Sequence, residues 1–172
     1  DFSDGVLPDC WSNIDNIGNG QVWLFNNPGG VVLNSTTGTN GFAVLDSDYY
    51  GSGSSQNADL ISPEIDFSYY ETVNITFQHD FVGYVGSSGT LSYTINGGSS
   101  WVTVQTWANT GGTTSFSQDM TSLWAGQSSV RVRWKYIGTW GYNWAIDDIS
   151  ITGTGPNLWT GTYSNIWNEF VR

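Results

Sequence analysis

The chain has few basic residues, and this shortage excludes a large class of functions. Only four of its 172 residues are Lys or Arg, against 15 Asp or Glu, which gives a formal net charge of −11. Because contact with a phosphate backbone requires an excess of Lys and Arg, we expect no nucleic-acid binding. The acidic excess is compatible with bound divalent cations, and equally with solubility alone.

Cysteine, histidine and long apolar runs are also scarce. The single cysteine, Cys10, excludes a disulfide within the chain, and one His with one Cys cannot build an ordinary zinc site. No apolar run approaches the roughly 18 residues of a membrane span. Paired carboxylates alone leave glycoside hydrolysis open. However, the chain has no Gly-x-Ser-x-Gly motif, no second His and no metal-hydrolase spacing, so we expect that it is not an enzyme.

Turn-forming and aromatic residues are abundant instead. The chain has 22 glycines and 16% aromatic residues, which is too much aromatic content for a disordered chain. No segment shows sustained helical periodicity. The composition therefore predicts one all-β domain with many tight turns. Within residues 72–81 the alternation places the lone His79 on the apolar face, so we interpret it as an interior histidine rather than a catalytic base.

A basic stripe is predicted on the strand near residue 133. In residues 130–136 apolar and basic residues alternate, so Arg131, Arg133 and Lys135 share one face, with successive members about 6.5–7 Å apart. Two interpretations stay open. The stripe forms a row of cross-strand ion pairs, each of which stabilises the fold only slightly, or it binds an anionic ligand such as a sulfated or uronic polysaccharide.

Acidic residues occur in three places where a cation site is conceivable. In residues 144–151, alternation predicts that Ala145, Asp147, Ile149 and Ile151 share one face of a strand. A carboxylate in phase with isoleucines has to be paired, hydrogen-bonded or bound to a metal. Further acids flank strands at residues 46, 48 and 59, where a shared cation site and simple solvation are both open. Residues 15–20 form a Gly-rich loop, for which an ordinary Asn-Gly turn is preferred over a calcium loop.

Several short motifs follow one another along the chain in a fixed order. They are Phe2 with Asp4-Gly5, Leu7-Pro8-Asp9-Cys10-Trp11, residues 59–66 (DLISPEID), residues 96–101 (NGGSSW), residues 130–133 (VRVR) and residues 144–149 (WAIDDI). Together they resemble the MAM-like, cleaved-adhesin type of β-jelly-roll found in secreted bacterial proteases, glycoside hydrolases and adhesins. The resemblance covers about residues 1–153. Residues 154–172 are then expected to be a linker and the start of a following module, or an added edge strand.

This resemblance implies a two-sheet antiparallel β-sandwich with a structural calcium ion (Ca2+) near the terminal strands. Such domains often carry Glu where this chain has Ser3, and Asp1 on the same strand face is the expected substitute. The other ligands implied by the resemblance are Asp147 of the closing strand and three acids of the earlier loops, which are Asp46, Asp48 and Asp59.

The predicted function is that of a non-catalytic carbohydrate-binding module of a larger secreted bacterial enzyme. We expect it to be a monomer, secreted or at the cell surface, beside other modules of its polypeptide. The alternatives are a protein- or cell-surface-binding adhesin domain and a structural spacer. Trp11, Trp101, Trp134 and Trp144 are predicted in the core. The predicted ligand-binding residues are the loop aromatics Trp140, Tyr142, Tyr84, Tyr49 and Tyr50. If the ligand is an anionic polysaccharide, Arg131, Arg133 and Lys135 are predicted to bind it as well.

Overall fold

The computed structural model describes residues 2–36, 38–39, 41–109 and 111–156, which form two antiparallel β-sheets packed as a sandwich. The predicted fold class is therefore confirmed. One sheet has the strand order β1-β3-β8-β5-β6 and the other β2-β9-β4-β7. The elements are β1 (Ser12–Asp15), β2 (Ala43–Asp46), α1 (Ser47–Tyr50), β3 (Ser55–Ile61), β4 (Thr72–Val82), β5 (Ser88–Thr94), β6 (Val102–Trp107), β7 (Thr114–Asp119), α2 (Thr121–Trp124), β8 (Arg131–Thr139) and β9 (Asn143–Thr154).

The space between the sheets is filled mainly by aromatic and β-branched side chains, because each long strand alternates apolar and polar residues. Strand β4 buries every second residue from Val73 to Phe81. Trp134 and Trp144 are fully buried, and the partly buried Trp11 stacks on Trp134 at a ring distance of 5.9 Å. No helix in the described part of the chain is long and apolar enough to cross a membrane. The two helices are single turns of four residues.

Trp101 corrects one of the core predictions. It lies outside the core cluster, with its ring 4.2 Å from the guanidinium carbon of Arg133 on the outer face of the five-stranded sheet. The residue comes directly before β6, after the tight turn at residues 96–100, so strand alternation does not fix the direction of its side chain. The attraction between a guanidinium and an indole face accounts for its position.

A bulge in β9 overturns the prediction that Ala145, Asp147, Ile149 and Ile151 share one face. The pairing with β4 shifts its register between Thr76 and Gln78, opposite Asp148, whose φ of 53° is left-handed. One extra residue at this point moves the side chains of all later residues in β9 to the opposite face of the sheet from the one that simple alternation predicts. Ile149 and Ile151 consequently pack against the main core, whereas Ala145 lies on the outer face in a second small cluster with Leu33, Phe42 and Val44.

Candidate functional site

Loops at one end of the sandwich carry a group of exposed, mostly aromatic residues. This group, called the aromatic end, comprises the aromatic residues Tyr49 of α1, Tyr84 between β4 and β5, and Trp140 and Tyr142 between β8 and β9, together with the aliphatic Val85. The exposed fractions of Tyr84, Trp140 and Tyr142 are 58%, 55% and 44%. Large apolar side chains that gather at one place on a surface are typical of a binding site.

The aromatic end has a defined geometry. The rings of Tyr84 and Tyr142 meet edge to face, with centroids 6.2 Å apart and planes at 78°. Trp140 and Tyr142 both have left-handed backbones, with φ of 48° and 59°. Such conformations are disfavoured for bulky residues and persist only where surrounding contacts hold them. The loop between β8 and β9 is therefore held in shape by its neighbours.

Ser47 supplies much of this support. Its backbone N–H donates to the Tyr142 carbonyl at 2.6 Å, and its Oγ accepts from the Gly141 N–H at 3.0 Å. The same hydroxyl donates to Oε1 of Gln56 at 2.6 Å. Ser47 is fully buried, so these hydrogen bonds are shielded from water.

Tyr136 holds the same loop from the core side. Its hydroxyl donates to the Gly141 carbonyl at 2.9 Å, and burial raises the pKa of Tyr136 to about 12, so that it stays a donor. A Cβ at Gly141 would lie 2.7 Å from Cβ of Ser87, which is too close for any other residue without a shift. Glycine thus permits the close approach of the two loops that carry Tyr84 and Tyr142.

The structure brings together four of the five loop aromatics that the sequence predicts as ligand-binding. The fifth, Tyr50, is engaged elsewhere. Its hydroxyl donates to the Val22 carbonyl at 2.7 Å and accepts from the Val22 N–H at 3.0 Å, and burial raises its pKa. Sequence reasoning missed Val85, although its position in a Gly-flanked turn directly after Tyr84 was a usable indication of exposure.

The predicted basic stripe lies on the outer face of the five-stranded sheet, and its members are ion-paired. Asp59 contacts Arg133 at 3.4 Å and Lys135 at 3.3 Å. Arg131 lies 3.8 Å from Glu64. Nε of Arg133 also donates to Ser92 at 3.0 Å. Of the two open interpretations, the structure shows the row of cross-strand ion pairs.

The predicted calcium ligands are spread over the molecule. The Asp46 carboxylate accepts from the Tyr49 N–H at 3.0 Å and caps α1. Asp48 is exposed within α1, Asp59 is ion-paired in the other sheet, and Asp1 lies outside the described residues. Within the described ranges no three His, Cys, Asp or Glu side chains are close enough to hold a metal ion. The predicted ligands within the described residues therefore do not form one group, and calcium stays a prediction that rests on the resemblance.

Asp147, the central residue of that prediction, is fully buried beneath residues 33–36. Its Oδ2 accepts from the hydroxyl of Ser35 at 2.8 Å, and the neighbouring Asp148 accepts from the Thr36 N–H at 2.9 Å. Hydrogen bonding was one of the three roles that the sequence left open for a carboxylate among isoleucines. These hydrogen bonds hold residues 33–36 against the outer face of β9.

Two further predictions are confirmed at single residues. Asp15 forms an ordinary turn, because its carboxylate accepts from the N–H groups of Ile17, Gly18 and Gly20, and these bonds, led by that from Ile17, lower its pKa. His79 is an interior residue between Phe77 and Trp107, with Nε2 3.2 Å from the Thr114 hydroxyl, and burial lowers its pKa to about 4.

Comparison with known proteins agrees with the fold and with the resemblance. Residues 1–96 match the sequence model of the Cleaved Adhesin Domain. The K1 cleaved adhesin domain of Lys-gingipain from Porphyromonas gingivalis W83 superposes with a TM-score of 0.63 at 21% identity, covering 90% of this chain and 96% of that domain. No curated protein sequence matches the chain significantly.

Carbohydrate-binding modules share the fold as well. TmCBM61, solved with β-1,4-galactotriose, superposes with a TM-score of 0.60 at 12% identity, covering 89% of this chain and 94% of the module. The family 11 module from Clostridium thermocellum, solved with a β-1,3-1,4-mixed-linked tetrasaccharide, gives 0.53 at 12% identity, with coverages of 89% and 93%. At such identities the likeness concerns the fold alone.

Proposed function

We propose that this chain, which belongs to the cleaved adhesin domain family, is a non-catalytic carbohydrate-binding module that uses its aromatic end. One observation carries the proposal. Exposed aromatic residues from three separate segments lie at one end, and Trp140 and Tyr142 have left-handed backbones in the loop that Ser47 holds through hydrogen bonds with Gly141 and Tyr142. Conformational strain that is maintained at an exposed place is typical of a functional site.

Aromatic rings suit the chemistry of a sugar. One face of a pyranose presents C–H groups that pack against an aromatic ring, while the hydroxyl groups around its rim need hydrogen-bond partners. Tyr84 and Tyr142 offer ring faces and hydroxyls, and the exposed Asp48 lies one residue from Tyr49 and offers acceptor oxygens. The aromatic end thus combines apolar contact area with convergent polar groups, as small-ligand sites do.

The alternative is a domain that binds a protein or a cell surface. A flat, continuous aromatic patch would favour it, since the centre of a protein interface is packed closely against its partner. The rings of Tyr84 and Tyr142 stand at 78° to each other, which makes the surface uneven. The carbohydrate complexes of two modules with this fold also favour the sugar.

An anionic polysaccharide remains a prediction. The bases that would recognise it are paired with Asp59 and Glu64, so they offer little uncompensated positive charge. We further propose that the module acts outside the cell or at its surface, beside other modules of the same polypeptide, because adhesion and the binding of polysaccharides take place there.

Affinity electrophoresis against neutral and anionic polysaccharides tests this function. We expect at least one polysaccharide to retard the protein, and Tyr142→Ala and Tyr84→Ala to abolish most of the retardation. Tyr69→Ala is the matched control. Tyr69 is exposed just before β4, whereas Tyr84 follows that strand, so the two residues lie beyond opposite ends of an 11-residue strand that is about 33 Å long. Migration unchanged by every polysaccharide contradicts the proposal, and so does equal loss in all three variants.

A further inference from the structure

We infer that the aromatic end takes single, uncharged glycan chains in solution, and not the flat surface of a crystalline polysaccharide or a polyanionic glycan. The inference rests on the proposed function and specifies its ligand. Three features of the aromatic end carry it, namely the angle between its rings, the hydrogen bonds beneath them and the sign of the nearby charges.

The angle between the rings excludes a planar platform. A crystalline face presents many parallel chains in one plane, so binding to it requires aromatic rings that lie in a common plane. Tyr84 and Tyr142 form an edge-to-face pair with 78° between their planes. Rings at such angles form a corner, and a corner fits one or two sugar rings of a single chain.

The backbone beneath these rings is held in place. Ser47 contacts both Gly141 and Tyr142, and the buried Tyr136 hydroxyl binds the Gly141 carbonyl. On the other side, the Ser87 hydroxyl donates to the Tyr84 carbonyl at 2.7 Å and accepts from the Tyr84 N–H at 2.8 Å. Flattening the surface would break buried hydrogen bonds at Gly141 and partly buried ones at Tyr84, which is unfavourable. The corner is therefore a preorganised shape, and preorganisation favours the ligand that fits it.

The charge at this end is negative. The basic residues of the described part of the chain are Arg131, Arg133 and Lys135, and all three lie in the ion pairs of the sheet face. Lys135 precedes Trp140 by five residues, about 17 Å along an extended chain, which exceeds the screening length of roughly 8 Å at physiological salt. The charged groups of α1 and its cap are instead the acids Asp48 and Asp46, whose charge also disfavours ionisation of Tyr136.

The acidic residues at the aromatic end should distinguish neutral glycans from anionic ones. A carboxylate accepts hydrogen bonds from sugar hydroxyls, whereas it repels uronate and sulfate groups. Binding of a neutral chain should accordingly change little with ionic strength, because no charged pair forms between protein and ligand.

The test compares two physical forms of the same polymers. The whole chain is titrated calorimetrically with soluble cello-, chito-, manno- and galacto-oligosaccharides, and with soluble polygalacturonate and heparin. In parallel it is mixed with crystalline cellulose, chitin and mannan, and with the amorphous form of each. We expect a neutral oligosaccharide to bind with an affinity that changes less than twofold from low to high salt, and amorphous polymer to retain at least tenfold more protein than crystalline polymer.

Variants separate this inference from the proposed function. Tyr142→Ala should weaken binding of the neutral oligosaccharide at least tenfold, as expected when a central aromatic contact is removed, whereas Tyr69→Ala should leave it unchanged. Equal retention on crystalline and amorphous polymer, or preference for a polyanion, overturns the inference while the carbohydrate function stands. Failure to bind any probe overturns both.

Discussion

The backbone N–H of Ser47 and the carbonyl of Tyr142 are joined by a hydrogen bond of 2.6 Å, although 95 residues separate them in the chain. The Ser47 hydroxyl adds a bond from the Gly141 N–H. These contacts link α1, which follows β2, to the loop between β8 and β9. They explain how Tyr142 can be exposed, left-handed and still fixed in position.

Replacement of Ser47 by Ala tests this link. Loss of the hydroxyl leaves the Gly141 N–H and the Gln56 Oε1 without their partner in a buried place, which should lower the free energy of unfolding by about 1–3 kcal/mol. Because the aromatic loop loses support, affinity for the glycan should fall as well. Urea unfolding and calorimetric titration measure the two effects.

The matched control for that variant is Ser52→Ala, an exposed serine in the turn after α1. We expect the control to change neither quantity. A Ser47→Ala protein that is destabilised but binds the glycan with wild-type affinity would show that the hydroxyl supports the fold and does not position Tyr142.

Asp59 links the two basic side chains Arg133 and Lys135, and all three are largely buried. Asp59→Asn should lower the free energy of unfolding by about 2 kcal/mol, since it leaves two partly buried cations without their counter-charge. Glu64→Gln is the control, because Glu64 is half exposed and its pair with Arg131 is long, so its loss should be within about 0.5 kcal/mol.

Variants of Asp59 and Arg133 together test whether the basic stripe stabilises the fold or binds anions. Glycan binding at the aromatic end should be unaffected in Asp59→Asn, because Asp59 and the basic stripe lie on the outer face of the five-stranded sheet, whereas the aromatic residues lie in loops at the end of the sandwich. Tight, salt-sensitive binding of heparin by the wild-type protein that is lost in Arg133→Ala would instead show that the stripe recognises anions.

His79 should make stability depend on pH. Its pKa is about 4 in the folded protein, because burial disfavours the charged ring, and 6.5 in the unfolded chain. Between pH 6.5 and pH 4 the unfolded chain binds a proton at His79 and the folded protein does not. The stability that the neutral His79 contributes is therefore complete above pH 6.5 and is lost as the pH falls from 6.5 to 4. The total loss in the free energy of unfolding is up to about 3 kcal/mol. Urea unfolding from pH 7 to pH 4 measures the loss.

His79→Leu isolates this contribution from that of the carboxylates. The variant should be less stable at pH 7, because it loses the contact with the Thr114 hydroxyl, but its stability should fall less steeply with acid. Parallel pH profiles for the two proteins would show that His79 is not responsible.

Calcium tests what the family resemblance implies at Asp147. The resemblance predicts that calcium added to chelator-treated protein raises the melting temperature by more than about 2 °C, and that the rise disappears in Asp147→Asn. Asp46 caps α1, Asp59 is ion-paired and Asp147 accepts from Ser35, so a shift below about 2 °C would show that these contacts, and not a calcium ion, hold the carboxylates.

The extent of what could be predicted is clearest in β9 and the loop before it. Residue alternation predicted the strand correctly, but it placed Asp147 on the same face as Ile149 and Ile151 because alternation alone cannot anticipate the bulge at Asp148. Asp147 is buried on the outer face instead, next to Ser35. The exposure of Trp140 and Tyr142 followed from their place in a Gly-containing turn. Their support by Ser47 did not, because it depends on a tertiary contact between distant parts of the chain.

Mapping of amide chemical shifts during titration with the tightest-binding neutral oligosaccharide tests the central claim most directly. We predict that the largest changes fall on residues 47–49, 84–87 and 140–143, while the amides of Arg131, Arg133 and Lys135 stay within the general scatter. Changes concentrated on those three basic residues, on the outer face of the five-stranded sheet, would contradict the assignment of the binding site to the aromatic end.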